Sequence, residues 1–454
     1  MGLGLHGGGA ESARYLAERG AEVTVTDLRD EKILAPSVEK LKAFPIRYVL
    51  GRHEIEDFQK ADLVIKNPGV KMESPYLKAA RRIETDISLF LSACQPRLMA
   101  VTGTKGKSSV SSALFWALNE SRSAGHLKGK AWLGGNVGIS PLGFVDEVKE
   151  GDDVVLELSC WQLGDLRGRD ILKPRAVVMT PILRDHLDWY GTMEAYVGDK
   201  RLIYKNQDEK DVTVAADDDW GRSFLKESRG RPLIYSSQPL SEKVSGGWLT
   251  DPKGSAYARI WEISERILEV VPPKPFVVGA HQKQNLLASA LALLDLGLEP
   301  DFVRESLGRF PGVEHRLEFF HESAGVRFYN DSAATIPEAV VAAIGAFEKA
   351  PVLVTGGTDK ELDFTPLARA AKNVKTFILL EGTGSKKLIK LLNDAGIKYQ
   401  GPFDSLDKAI QIALEAAVSG DNVVLSPGCT SFGMFLNEVD RGKKWKEGVR
   451  SLAP

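Results

Sequence analysis

The stretch VTGTKGKSSVSSALFWALNE, Val101 to Glu120, opens as a strand and closes as a helix, with the turn Gly-Thr-Lys-Gly-Lys-Ser-Ser between them. A strand that feeds a glycine turn into a helix makes a phosphate cradle. Free backbone N–H groups at the helix N-terminus point at an incoming anion, and the helix dipole favours negative charge. The general nucleotide-binding loop reads G-x-x-x-x-G-K-[ST]. Counting back from Gly106 and Lys107 puts its first glycine at position 101, which here is valine, so this turn is more compact. Gly103 and Gly106 let the backbone approach a ligand closely, Lys107 can reach a phosphate oxygen, and Ser108 or Ser109 can hold Mg²⁺. A plain Gly-Lys-Ser helix cap is the competing reading.

The surrounding sequence supports the phosphate reading. In VVLELSCWQL, Glu157 ends a buried apolar strand, and carboxylates at that edge of an α/β sheet face the ligand crevice. Mg²⁺ wants such oxygen ligands. His186 sits in the acidic, aromatic turn RDHLDWYG. Taken alone it reads as a partly buried histidine, and Glu157 taken alone as a solvated strand end.

Strands and amphipathic helices alternate along most of the 454 residues, which predicts an α/β protein of about three domains. The divisions fall at 1–92, 93–312 and 313–454. In the first part EVTVTD, IRYVLG and DLVIKNPG read as strands and AESARYLAERG as a helix ending at Gly20. The chain opens on the glycine turn GLGLHGGGA with no strand before it, although such a turn needs one. The expectation is a start that lies upstream or a domain without its first strand. Residues from about 221 to 275 read as short strands and loops rather than helices, and HQKQNLLASALALLDLG as an amphipathic helix. The last part alternates strands (VRFYND, PVLVTGG, TFILLEG, NVVLSPG) with helices, as a mostly parallel sheet covered on both faces would.

Composition removes several function classes. The formal charge is −2 and no basic run offers a nucleic-acid or anionic-membrane surface. Apolar runs such as EAVVAAIGAF are too short to cross a bilayer. Gly2 is present, but His6 breaks the myristoylation pattern, and no signal peptide is visible. The three cysteines, Cys94, Cys160 and Cys429, are widely spaced and make no metal motif. A cytoplasmic protein that binds neither nucleic acid nor membrane is expected.

GTKGKSS, GGNVG, LELSCWQL, DHLDWYG, AHQKQN, EHRLE, NDSAAT, GGTDK and SPGCTSFGMF occur in this order over nearly the whole chain. In this the chain resembles the Mur ligase family of peptidoglycan synthesis, and within it the branch that adds D-glutamate. The compact turn matches that family's own phosphate loop. The resemblance implies three α/β domains, Rossmann-like at both ends around a central P-loop ATPase-like domain. The first takes the UDP end of the substrate, the second ATP, the third the amino acid. It implies UDP-N-acetylmuramoyl-L-alanine, D-glutamate and ATP as substrates, two Mg²⁺ ions, an acyl-phosphate route, and a monomer.

The same resemblance assigns residues. Gly103, Thr104, Lys105, Gly106, Lys107, Ser108 and Ser109 form the phosphate loop, with Lys107 on the β/γ-phosphates. Ser108 and Glu157 are ligands of one Mg²⁺ and His186 of the other. Lys200 falls where the family carries a carbamylated lysine that can hold or orient a metal; from sequence alone it is a solvated lysine on an amphipathic helix. Asn285 matches the adenine-side residue, and Gln282 stands where the family usually has Asn. Arg316 and Asp331 match residues that hold the ATP ribose and phosphates from the third domain, an arrangement that needs domain closure.

At the substrate ends, Asp27 and Arg29 match uracil contacts, and Leu5, His6 and Gly7 the diphosphate turn. NPGV at 67–70 matches the turn beside the sugar. Asn136 and Gln162 match contacts to the diphosphate and muramoyl part. Thr335, Lys360, Ser431 and Phe432 fall at the D-glutamate pocket, where a dicarboxylate needs a cation and several donors. Ala333 stands where the family often has Lys, and Glu438 where it often has an aromatic residue. A sibling ligase with another amino acid, a folylpolyglutamate synthase and a silent nucleotide-binding scaffold remain open. Folylpolyglutamate synthases lack the first domain, and a scaffold has no need of two metal sites.

Overall fold

A computed structural model of the chain describes residues 1–5, 7–251, 254–263, 266–431 and 433–454. The expectations for His6 and Phe432 lie outside the described residues. The chain divides into two compact units, one of residues 1–272 and 284–307, the other of residues 273–283 and 308–454.

The first unit begins with four short strands, β1 (Val23–Asp27), β2 (Ile46–Leu50), β3 (Val64–Ile65) and β4 (Ile83–Glu84). They pair in parallel as β1-β2 and β3-β4. Residues 1–3 run between the two pairs. The Gly2 N–H donates to Thr26 O and the Met1 amine to Ile65 O, while Asn67 N–H donates to Met1 O. A cavity of about 670 Å³ opens beside them, lined by Val23, Val25, Phe58, Val64 and Lys66 among others.

The same unit contains a nine-stranded sheet built from β5 (Arg97–Thr102), β6 (Ala131–Gly135), β7 (Asp153–Glu157), β8 (Ala176–Met179), β9 (Val212–Ala216), β10 (Arg231–Ser236), β11 (Gly246–Leu249), β12 (Ala256–Arg259) and β13 (Leu268–Val271). Its order is β13-β12-β11-β10-β9-β8-β5-β7-β6. The strands from β6 to β11 are parallel, and β12 and β13 add an antiparallel edge. Strands β5, β7 and β8 are nearly all apolar and buried, as a sheet covered on both faces requires. β5 lies between β7 and β8, so the chain leaves it for one side of the sheet and later returns to the other. The loop after β5 therefore sits at a topological switch point, where open α/β sheets form their ligand crevice. A helix, Asp219–Glu227, runs into the stretch read from sequence as free of helices. Asp218 caps it by accepting from Gly221 N–H, and Phe224 anchors it in the core.

Buried polar contacts tie the N-terminal strands to the large sheet. Lys66 Nζ meets Asp165 Oδ2 at 2.7 Å with only 2% of the lysine side chain exposed. Arg169 reaches Glu84 and Ile83 O, and Ser140 Oγ donates to Asp86 at 2.9 Å.

The second unit holds a six-stranded sheet of β14 (Glu318–Ser323), β15 (Val326–Asn330), β16 (Val352–Gly356), β17 (Thr376–Leu380), β18 (Tyr399–Phe403) and β19 (Asn422–Leu425). The order is β14-β15-β19-β16-β17-β18, parallel except for the β14-β15 pair. Helices Pro337–Gly345, Thr383–Asp394, Leu406–Ala416 and Glu438–Leu452 pack into two apolar clusters with it. Among the described residues, no helix is long and apolar enough to cross a membrane.

Candidate active site

The turn after β5 joins a helix at Lys107–Ser123, capped by Gly106 in the left-handed region at φ 94°. Two glycines are needed for contact reasons. A Cβ on Gly103 would sit 2.6 Å from the Thr180 carbonyl oxygen, at the end of β8, and one on Gly106 would sit 2.5 Å from Asn285 Oδ1. Asn285, on the helix Ala280–Asp295, is thereby placed directly against the loop.

Thr104 is the loop's anchor. Its N–H donates to Pro181 O, its hydroxyl accepts from Leu183 N–H at 3.0 Å, and it shares a 2.9 Å hydrogen bond with the Tyr196 hydroxyl. Lys105 is exposed, and Ser108 and Ser109 are half-buried in the first helical turn.

Two lysines converge on one carbonyl. Lys107 Nζ donates to Gly103 O at 3.1 Å and Thr104 O at 3.0 Å, and Lys200 Nζ donates to the same Gly103 O at 2.8 Å. Burial lowers the pKa of Lys107. Lys200 ends the helix Met193–Lys200, is 1% exposed, and burial, reinforced by the Lys107 charge, brings it down to about 8. The sequence reading of Lys200 as a solvated helix residue is therefore corrected. The apolar side of its helix carries it under the loop, where Tyr196 and Val197 are also buried.

Glu157 is 1% exposed at the C-terminal end of β7. Its Oε1 accepts from Asn136 Nδ2 at 2.7 Å and its Oε2 from Ser111 Oγ at 3.4 Å. Ser111, one turn beyond Ser108, also donates to Ser108 O at 3.3 Å. Sequence reasoning missed Ser111; its spacing of three from Ser108 on a helix was the available signal. Asn136 thus contacts this carboxylate, and its loop nears the N-terminal glycine turn, with Gly138 O 3.6 Å from the Cβ position of Gly7.

His186 has φ 51° and packs against Trp161, ring centroids 4.7 Å apart and the planes tilted by 53°. Trp161 also meets Trp189 at 5.1 Å, and Lys71 Nζ lies 4.7 Å from the Trp189 ring. Gln162 completes a capping box with Ser159 at the start of the helix Cys160–Gly164, which uses its side-chain oxygen locally. Asp27 ends β1 and accepts from Gly4 N–H and from the Arg29 backbone and guanidinium. Burial opposes ionisation there, yet the hydrogen bonds from Arg29 and Gly4 hold the carboxyl below its usual range. Leu5 is exposed and Gly7 caps the helix Gly8–Glu18.

In the second unit, Thr335, Ser431 and Lys360 follow the C-terminal ends of β15, β19 and β16, three adjacent strands. The Thr430 and Thr358 backbones pair, joining two of those loops. Asp331 accepts from Leu317 N–H and Ser426 Oγ, and burial pushes it up to about 7. Arg316 is exposed, and Gln282 is buried on the helix Ala280–Asp295.

Three family models match the chain: the Mur ligase MurD-like N-terminal domain over residues 1–88, the Mur ligase middle domain over 101–293 and the Mur ligase glutamate ligase domain over 315–429. The chain belongs to the Mur ligase family. It is 40% identical to the UDP-N-acetylmuramoylalanine–D-glutamate ligase of Treponema pallidum (strain Nichols), with 100% of this chain and 97% of that protein covered. It is 39% identical to the ligase of the same name from Roseiflexus sp. (strain RS-1), covering 100% and 98%. Its fold is similar to two Mur ligases of Thermotoga maritima. The UDP-N-acetylmuramate-alanine ligase superposes with a TM-score of 0.59 at 18% identity, covering 99% of this chain and 98% of that one. The MurF ligase in complex with ADP superposes with a TM-score of 0.57 at 16% identity, covering 96% and 98%.

Proposed function

We propose that this Mur ligase joins D-glutamate to UDP-N-acetylmuramoyl-L-alanine at the expense of ATP, in the cytoplasm, as a step of peptidoglycan precursor synthesis that serves cell shape and division. The observation that carries the reading is the switch-point loop, with Lys107, Lys200 and Glu157 gathered at it, in a chain that matches D-glutamate ligases along its full length.

The chemistry follows from the substrate. A carboxylate repels nucleophiles and has no leaving group. The alanyl carboxylate oxygen attacks the γ-phosphorus of ATP, the bond to the bridging oxygen breaks, and ADP leaves. The amine of D-glutamate then adds to the acyl-phosphate carbonyl. The tetrahedral adduct expels inorganic phosphate and loses a proton, leaving the amide. Crowded negative charge must be balanced throughout, which is the task of Lys107, the helix N-terminus and the N–H groups of Lys105–Ser109.

Mg²⁺ fits the donors present: Glu157 is a buried carboxylate at the strand edge beside the Ser108 turn, a hard-oxygen set. Ser108 and Glu157 would hold one ion and His186 the second, supplying positive charge to the phosphates. A carbamate on Lys200 would convert a buried ammonium into a carboxylate suited to the same task, and the lowered basicity of Lys200 supports it. The remaining roles are those of the sequence reading. Gln282 and Asn285 serve the adenine; Arg316 and Asp331 serve ATP from the C-terminal domain. Asp27, Arg29, Leu5, Gly7, Asn136 and Gln162 serve the UDP-sugar end, and Thr335, Lys360 and Ser431 D-glutamate. Three domains with divisions near 92 and 312 suit this distribution of tasks.

The test is phosphate release from ATP and Mg²⁺ with the UDP-substrate and D-glutamate together. Release only when all are present supports the ligase. No release above the minus-substrate control identifies a scaffold, and release with a different amino acid identifies a sibling ligase. Intact mass measured with and without bicarbonate reads the carbamate as one added carbon dioxide, lost in Lys200→Ala.

A further inference from the structure

Arg441 lies in the C-terminal helix Glu438–Leu452 and is 1% exposed. All three guanidinium nitrogens are engaged, and every acceptor is neutral. Nε donates to Ser332 Oγ at 3.0 Å, Nη2 to Ser332 O at 2.8 Å and Nη1 to Cys429 O at 3.2 Å. Among the described residues no carboxylate lies within ion-pair distance of it. Nη1 is also 4.0 Å from the Cβ position of Gly357, where the loop after β16 begins. One side chain therefore bridges the loops after β15 and β19, which carry Thr335 and Ser431, and lies beside the start of the loop after β16, which carries Lys360.

A fully buried cation without a contacting anion is expensive. Hydrogen bonds to carbonyls satisfy its donors, but they leave its charge unbalanced. Burial lowers even this guanidinium, to about 10, and burial raises nearby Asp331 to about 7, so that carboxyl is only partly ionised at neutral pH. Glu438, one turn earlier on the same helix, and Asp331 act on the guanidinium from a distance without contacting it, and Ala333 beside Ser332 adds no charge. A bound dianion is the chemical species that completes such a site.

We propose that Arg441 is the positioning residue of the amino-acid pocket: its guanidinium clamps the Ser332 and Cys429 loops and supplies, from beneath, the positive potential that selects a dicarboxylate amino acid. The inference rests on the ligase reading above. It assigns selectivity to a residue that acts through backbone carbonyls and the field of its charge, without touching substrate.

The test compares full-length wild type, Arg441→Met and Arg441→Lys. Phosphate release is measured against D-glutamate, D-glutamine and ATP in turn, with thermal unfolding recorded for each variant. Arg441→Met is expected to raise KM for D-glutamate about 100-fold and to erase the preference for D-glutamate over D-glutamine, while KM for ATP moves less than about threefold. Arg441→Lys keeps the charge but loses the planar fork, and should raise KM for D-glutamate only about three- to tenfold over wild type. A folded Arg441→Met with an unchanged D-glutamate KM overturns the proposal. So do parallel rises in both KM values, or an Arg441→Lys that behaves like Arg441→Met. If Arg441→Met does not fold, Arg441→Lys decides: a rise confined to D-glutamate supports the role, and no rise or a rise shared with ATP overturns it. Wild type that releases no phosphate with D-glutamate refutes the ligase reading and this inference with it. Normal wild-type turnover beside unchanged variant constants refutes Arg441 alone.

Discussion

Replacing Gly103 by alanine tests the phosphate loop at its tightest point. The residue has φ 146°, and its added Cβ would lie 2.6 Å from Thr180 O and overlap the Thr180 hydroxyl. Ordinary contact begins at 3.4 Å, so the loop must retreat by about 0.8 Å from the end of β8. The obstacle is backbone, which cannot rotate away. Overpacking of this kind costs about 1–3 kcal/mol, and the unfavourable φ about 1–2 kcal/mol more. Together they predict a loss of about 2–5 kcal/mol and, for a unit of roughly 300 residues, a fall in unfolding temperature on the order of 3–8 °C. A displacement approaching 1 Å at a site that aligns reacting atoms predicts a drop of about 100-fold in kcat/KM for ATP. The assay is phosphate release with ATP varied, paired with thermal unfolding. Adding Thr180→Ala removes the hydroxyl overlap but leaves the carbonyl, so stability should recover in part and activity should not. Gly106→Ala meets only the movable end of Asn285 and should be milder in both readouts. A Gly103→Ala protein with wild-type KM for ATP and wild-type unfolding temperature would refute the loop's assignment.

Other outcomes follow from the same structure. Lys107→Ala should lower ATP turnover by orders of magnitude with unfolding near wild type, because its ammonium bonds only its own loop; wild-type turnover would mean the phosphates bind elsewhere. Lys66→Met strands Asp165, already raised to about 6 by burial, and should destabilise by about 3 kcal/mol at pH 8. Because the stranded carboxyl can take up a proton, the loss should shrink at pH 5, which urea titration at both values would show. Asp331 is raised from 3.8 to about 7, so the folded state holds a proton that the unfolded chain releases between those values. Its contribution is full below about pH 4 and declines as pH rises towards 7, by up to about 4 kcal/mol. Asp331→Asn should flatten that part of the stability profile, and an unchanged slope would contradict the assignment.

The features readable from sequence were those set by local pattern. The Gly-Thr-Lys-Gly-Lys turn, the strand ending at Glu157 and the alternating elements of the second unit follow from residue order alone, because each is decided by neighbours within one turn or strand. What escaped depends on residues far apart in the chain. Lys200 reads as a surface lysine because nothing near it announces that Gly103, nearly a hundred positions earlier, supplies its acceptor. That Asn136 also reaches Glu157 depends on the pairing of β6 with β7, which no local pattern announces. The C-terminal helix is charged along its length, which hides Arg441 and Trp445, both fully buried. Strand β18 is short and carries Gly401 and Pro402, which erased its pattern.

Two ammonium groups leaning on a single oxygen form an unusual resting arrangement. Among the described residues no carboxylate is in ion-pair contact with either nitrogen, and only the more distant charges of groups such as Glu157 and Asp185 offset them, so the pair will collect whatever small anion the solution provides. Sulfate or phosphate in a buffer should therefore compete with the nucleotide and mimic a weaker enzyme, so chloride or an organic buffer is the better medium in which to judge its affinity for ATP.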